Sequence, residues 1–182
     1  NGNNRVTIYD VATGTISNGQ NATFVLGQST FVSSAALTTQ GGMNQPNGLA
    51  YDSTNNRLFV SDNGNKRVTI YDVATGTVSN GQNATFVLGQ IVFTTATSAT
   101  SQSGMTSPTG LAYDEGNSRL YLPDNRRVLI FSVASGTVSS GQNASNLLGE
   151  LDVDDNPAYT KTGSNNAPST RGFNRPKFVE LD

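Results

Sequence analysis

The sequence predicts an all-β chain built from β-propeller blades, each a sheet of four antiparallel strands. Three observations carry that reading: a long internal repeat, four short apolar runs in each repeat, and turn formers between the runs. Residues 5–28 (RVTIYDVATGTISNGQNATFVLGQ) and 67–90 (RVTIYDVATGTVSNGQNATFVLGQ) differ only at Ile16 against Val78. Residues 127–150 are a third copy that keeps 15 of the 24 positions of the second. Another block precedes the later two copies: MNQPNGLAYDSTNNRLFVSDNGNKR from Met43 and MTSPTGLAYDEGNSRLYLPDNRR from Met105. A decayed start of it, FNRPKFVELD, closes the chain. The period is 62 residues from Arg5 to Arg67 and 60 from Arg67 to Arg127; the turn SDNGNKR, shortened to PDNRR, accounts for the difference.

Within one unit the first strand is expected at 48–51 (GLAY), the second at 57–60 (RLFV), the third at 68–71 (VTIY) and the fourth at 84–88 (ATFVL). The runs are rich in Val, Ile, Phe, Tyr and Thr, which suit a pleated surface. Between them lie DSTNN at Asp52, SDNGN at Ser61, and DVATG at Asp72 followed by SNGQN at Ser79. Asn-Gly steps supply the positive φ that tight turns require. No stretch holds a 3.6-residue period over three turns, which argues against helix. The runs are apolar at adjacent positions, as in sheets covered on both faces; a two-sheet sandwich, the alternative along with a solenoid, would alternate more strictly.

Composition narrows the function classes. Of 182 residues, 13% are charged, against about 25% in an ordinary soluble domain. A net charge of −2 argues against a polyanion binder. The chain has no cysteine and no histidine, which removes disulfides, thiolate sites and the commonest general base. No apolar run approaches the ~18 residues of a membrane-spanning helix.

Pro-x-Gly-Leu-Ala-Tyr-Asp followed by Arg-Leu-Phe-Val-Ser-Asp-Asn-Gly-Asn-Lys-Arg-Val resembles the NHL repeat. The residues that carry the resemblance are Pro46, Gly48, Asp52, Asp62, Gly64, Asn65, Arg67 and Val68, then Pro108, Gly110, Asp114, Asp124, Arg127 and Val128. The second set lacks the Gly-Asn step. The resemblance implies a propeller, usually of six blades, with the first strand of each blade lining a central channel. On this reading 1–42 is a partial blade (third and fourth strands plus an insert), and 43–104 is a complete blade. Residues 105–172 form a complete blade with a longer insert, and 173–182 the first strand of another. Eleven strands make about three blades and a partial ring. Open blades expose strand edges. A fragment of a longer chain, or homo-oligomeric copies completing one another's ring, is therefore expected, and the missing initiator Met and signal peptide fit a fragment.

A near-perfect repeat is poor ground for an active site, because one site needs different residues on different blades. Asymmetry is confined to three places, the insert 150–175, the altered turn 123–127 and the altered last strand; the insert is 26 residues long against 18 for 28–45 and 90–107. It carries Asp152, Asp154, Asp155 and Asn156, oxygen donors of the kind calcium takes, although the EF-hand spacing is absent. The plain alternative is a solvated acidic loop. Glu180 aligns with Ala50 and Ala112, so a carboxylate near the channel could hold a metal or ligand, or simply mark drift. Arg171, Arg175 and Lys177 form a small basic group beside Pro176. The pairs Asp62–Arg67 and Asp124–Arg127 could bind an anion but read better as structural ties. Asp52, Asp114 and Asp182 read as turn caps. Asn21, Asn83 and Asn143 head three copies of one glycosylation sequon, more simply an Asn that serves the turn.

The leading expectation is a non-enzymatic binding or interaction scaffold, extracellular or on a bacterial cell surface, with a protein, peptide or glycan partner. No cofactor is expected, calcium being the one the acidic loop would admit. The alternative, implied by the resemblance, is a calcium-dependent hydrolase or lyase of the six-bladed type. RNA binding needs a basic face, and 11 Lys+Arg against 13 Asp+Glu do not make one.

Overall fold

The structure, a computed structural model, describes residues 2–161 and 170–181. The first blade contributes a two-stranded sheet, β1 (Val6–Ile8) with β2 (Phe24–Leu26). The second is a four-stranded antiparallel meander of β3 (Pro46–Asp52), β4 (Arg57–Asp62), β5 (Arg67–Asp72) and β6 (Phe86–Leu88). The third repeats it with β7 (Ala112–Asp114), β8 (Arg119–Asp124), β9 (Arg127–Ser132) and β10 (Asn146–Leu148). A single 3-10 turn, Asn63–Asn65, joins β4 to β5 and ends on Lys66 at φ 54°.

The fourth strand starts at Phe86, later than the apolar run ATFVL suggests. The Ala84 N–H is taken by the Gln40 carbonyl at 3.0 Å, outside the ladder. Residues 173–181 form no strand. This segment lies beside the third blade, where the Gly110 N–H donates to the Lys177 carbonyl at 2.9 Å. A first strand takes its ladder from the second strand of its own blade, and among the described residues this one has none. Among the described residues ten strands, not eleven, are therefore formed.

The core lies between sheets. One cluster joins Phe59, Val68, Ile70 and Leu88 of the second blade to Leu120, Leu129, Phe131, Val133 and Leu147 of the third. The other joins Val6 and Leu26 of the first blade to Val60 and Tyr71 of the second, with Met43 between them. Both faces of a middle sheet are thus covered. That is why β5 buries five consecutive residues.

The first strands of successive blades stand backbone to backbone. A Cβ on Gly48 would lie 2.5 Å from the Thr109 carbonyl oxygen and 2.8 Å from Gly110 Cα. One on Gly110 would lie 2.7 Å from both the Lys177 carbonyl oxygen and Phe178 Cδ1. The turn before the fourth strand is held by glutamine. Nε2 of Gln20, Gln82 and Gln142 donates to the carbonyls of Asp10, Asp72 and Ser132 at 2.6, 2.8 and 2.8 Å. The sequon residues Asn21, Asn83 and Asn143 stand exposed beside these bonds. Among the described residues no helix is long and apolar enough to cross a membrane.

Gly48→Val and Gly110→Val are expected to cost about 1–3 kcal/mol each through overpacking, read as lower melting temperatures. Gly116→Ala is the control, because its Cβ would meet nothing closer than 3.5 Å. Unchanged melting of both valine variants would remove the close-approach account.

Candidate functional site

The ladder sets Asp62, the last residue of β4, opposite Arg67, the first of β5. Both side chains are fully buried. Asp62 Oδ1 accepts the Asn44 N–H at 2.7 Å, while Oδ2 accepts Asn65 Nδ2 at 2.7 Å and Arg67 Nε at 2.8 Å. Arg67 Nη2 donates to the carbonyls of Thr39 and Gly42 at 3.0 and 2.9 Å, and Nη1 to that of Phe93 at 2.5 Å. One guanidinium therefore ties its hairpin to the insert before it and the insert after it. Four of its five N–H groups are spent inside the fold. Arg127 repeats this with Asp124, Ser101, Gly104 and Tyr159. Among the described residues Arg5 in the first blade reaches only the following insert, through the Phe31 and Ser33 carbonyls.

Asp52 closes β3 and caps the next turn, accepting the Asn55 N–H at 2.9 Å. Its second oxygen accepts Arg57 Nε at 2.9 Å and Nη2 at 2.5 Å. Arg57 also donates to the Val133 carbonyl of the third blade at 2.6 Å, a link between blades that the repeat pattern did not announce. Burial pushes the Asp52 carboxyl upward, but the Asn55 and Arg57 donors outweigh it and hold its pKa below the ordinary value. Asp114 makes the same cap with Asn117 at 3.0 Å. Asp182 lies outside the described residues. Pro46 opens β3, and Pro108 makes an isolated bridge opposite Asp124.

The acidic loop closes on itself. Asp152 Oδ1 accepts the N–H groups of Asn156 and Asp154 at 2.8 and 2.9 Å. The Asn156 N–H is the chief cause that holds the Asp152 pKa below its ordinary value, against the desolvation that raises it. Asp155 pairs with Arg171. Among the described residues no three acidic side chains converge as a metal site would require. Glu180 is exposed at the far end of the chain. Arg175 and Lys177 line one cleft of about 190 Å³ with Ser107, Thr109 and Asn125, while Arg171 lines another with Leu148 and Phe173. The basic group is therefore split. A larger cleft of about 340 Å³ lies between the second and third blades, walled by Asn55, Arg57, Asp72, Phe86, Ser135 and Val138.

One departure from the repeat exchanges a buried amide for a carboxylate. Gln28 Nε2 donates to the carbonyls of Asn4 and Ala35 at 3.0 and 2.7 Å, and Gln90 Nε2 to those of Lys66 and Thr97 at 3.0 and 2.8 Å. The third copy has Glu150 there, 1% exposed. Neither carboxylate oxygen has a hydrogen bond, and Lys161 Nζ stands 3.8 Å away. Burial pushes the Glu150 pKa up, opposed by Lys161, Arg126 and Arg127. Comparing the three copies at this column would have found it.

Residues 43–71 match the family model of the NHL repeat. This segment runs from Met43 through β3, β4 and most of β5. The NHL repeat is a β-propeller repeat, and the four-stranded antiparallel sheets are of the kind that form propeller blades. No curated protein matches the chain.

Arg67→Met leaves Asp62 buried without its cation and is expected to cost about 3–5 kcal/mol in chemical denaturation. Arg5→Met, which strands no buried carboxylate, should cost about 1 kcal/mol. Equal losses would contradict the assignment of Arg67 as the tie.

Glu150→Gln is expected to stabilise the chain at neutral pH by about 1–3 kcal/mol, since an amide can make the bonds of Gln28 and Gln90. With a folded pKa above the ordinary 4.5, native Glu150 holds a proton that the unfolded chain releases. Its share of stability is full below that value and is lost as pH rises through the raised folded pKa. The melting temperature of the glutamine variant should lack this fall; parallel pH profiles for the two proteins would refute it.

Proposed function

We propose that this chain of NHL-type blades is a non-enzymatic interaction scaffold that holds a protein, peptide or glycan on surfaces its inserts display. The observation that carries the reading is a recurring exposure of apolar side chains near the start of each insert. Phe31 and Val32 are 38% and 93% exposed, Ile91 and Val92 are 81% and 49%, and Val153 is 97%. The fold gains nothing from apolar groups in water, and clusters of them mark interaction surfaces. Meanwhile the charged signature residues are consumed in tying blades together. A surface rich in Thr, Ser and Asn and poor in charge suits an exported protein, and we assign it to the outside of a bacterial cell.

The test is a peptide and glycan array read with the wild-type chain and with the triple variant Val32→Asp, Ile91→Asp, Val92→Asp. Specific ligands bound by the wild type and lost by a variant with an unchanged melting curve are the expected result. Ligands retained by the variant, or turnover of ester, glycoside or uronate substrates with added calcium, would overturn the proposal.

A further inference from the structure

The cleft of about 340 Å³ between the second and third blades has the size of a small-molecule site. The ladder sets Arg57, the first residue of β4, opposite Asp72, the last of β5. Opposite charges so placed ordinarily pair across the strands. These two do not. Arg57 spends Nε and Nη2 on Asp52, and Nη2 also on the Val133 carbonyl of the third blade. Its Nη1 makes no hydrogen bond among the described residues and is not a buried atom. Asp72 Oδ1 accepts the Ala74 N–H at 2.9 Å and the Thr77 hydroxyl at 3.4 Å. Among the described residues its Oδ2 accepts nothing and the carboxylate has no ion pair.

One cleft therefore holds an open guanidinium nitrogen and an open carboxylate oxygen on neighbouring strands. Ile70, Phe86 and Val138 supply the apolar part of its lining. The third blade does not repeat the combination. It keeps Asn117, Arg119 and Ile130 at the columns of Asn55, Arg57 and Ile70, but has Ser132 for Asp72 and Asn146 for Phe86. The anion and the ring are lost together there. This is the kind of difference between blades that a single site requires.

We infer that this cleft binds a free α-amino acid with an apolar side chain. The ligand's ammonium meets Asp72 Oδ2, its carboxylate accepts from Arg57 Nη1, and its side chain lies against Ile70, Phe86 and Val138. Charge selects the zwitterion. An anion alone is repelled by Asp72 and by Asp52 behind the guanidinium, and a cation alone is repelled by Arg57. A neutral ligand leaves both groups without the charge-assisted bonds that a zwitterion makes to each. The cleft shares no residue with the apolar insert surfaces, so this site goes beyond the scaffold reading.

Isothermal titration calorimetry of the full chain with L-leucine and L-phenylalanine tests this. Leucinamide keeps only the ammonium and N-acetyl-leucine only the carboxylate. The free amino acids should bind, and each derivative should bind about tenfold more weakly or worse, the loss of one charge-assisted bond. Asp72→Asn keeps an oxygen for the Ala74 N–H but removes the charge, and should weaken leucine by a similar factor. Ser135 is exposed, and Ser135→Trp fills the cleft from its rim. That variant should lose binding with a wild-type melting curve. If either variant fails to fold, Phe86→Asn, the residue of the third blade at that column, takes its place and should also lose binding. No heat with either amino acid at millimolar concentration, leucinamide binding as well as leucine, or wild-type affinity in Ser135→Trp would each overturn the inference. The triple variant Val32→Asp, Ile91→Asp, Val92→Asp should bind leucine as the wild type does, which separates failure here from failure of the scaffold reading; leucine lost by that variant would overturn the assignment to this cleft.

Discussion

The buried pair of Asp62 and Arg67 is the interaction on which the rest of the structure depends. A blade of four short strands buries little by itself, and its inserts carry hardly any ladder of their own. The guanidinium solves both problems at one point. It neutralises the carboxylate that closes β4 and gathers carbonyls from the inserts on either side. Those carbonyls would otherwise be polar groups in a dry interface, where an unmet acceptor costs about 1–3 kcal/mol. Asp62 in turn holds the Asn44 N–H, which places Pro46 and Gly48 at the head of β3.

From this corner the order of the blades follows. Inserts pinned by arginine bring Gln40 and Gln102 onto the turns that lead into the next fourth strands, where they bond the carbonyls of Ala84 and Ala144 at 2.9 and 2.8 Å. The sheets then stand close enough that Gly48 meets Gly110 with no space for a side chain. Glu150 shows how local the tolerance is. A single change from amide to carboxylate removes a donor, and the third insert is also the longer one, with Lys161 brought near.

Much of the architecture was legible because it is written more than once. Strand runs such as RVTIYD and RLFVSD recur with the period of the blade, and the residues between them have few conformations open to them. The Asp–Arg pairs were visible for the same reason. What those pairs hold was not, since the acceptors at Thr39, Gly42 and Phe93 are backbone groups and carry no signature in residue type. The acidic run at Asp152 suggested cation binding from composition. The folded loop turns its first carboxylate onto its own N–H groups, and Asp155 onto Arg171. The turn glutamines were likewise hidden behind the more conspicuous asparagines of the sequon.

The sequence by itself determined strand positions, the blade period, the absence of thiol and imidazole chemistry, and the aspartate–arginine pairing. These depend on neighbours in the chain or on composition. Tertiary structure alone decided that residues 173–181 lie beside Gly110 without forming a ladder, that Arg57 reaches the Val133 carbonyl of the next blade, and that Glu150 is buried. It also decided which apolar residues stay in water. Tyr9 and Tyr71 share one local sequence, yet one is 48% exposed and the other 0%. The difference is only whether a blade stands in front of them, and no local sequence can encode that.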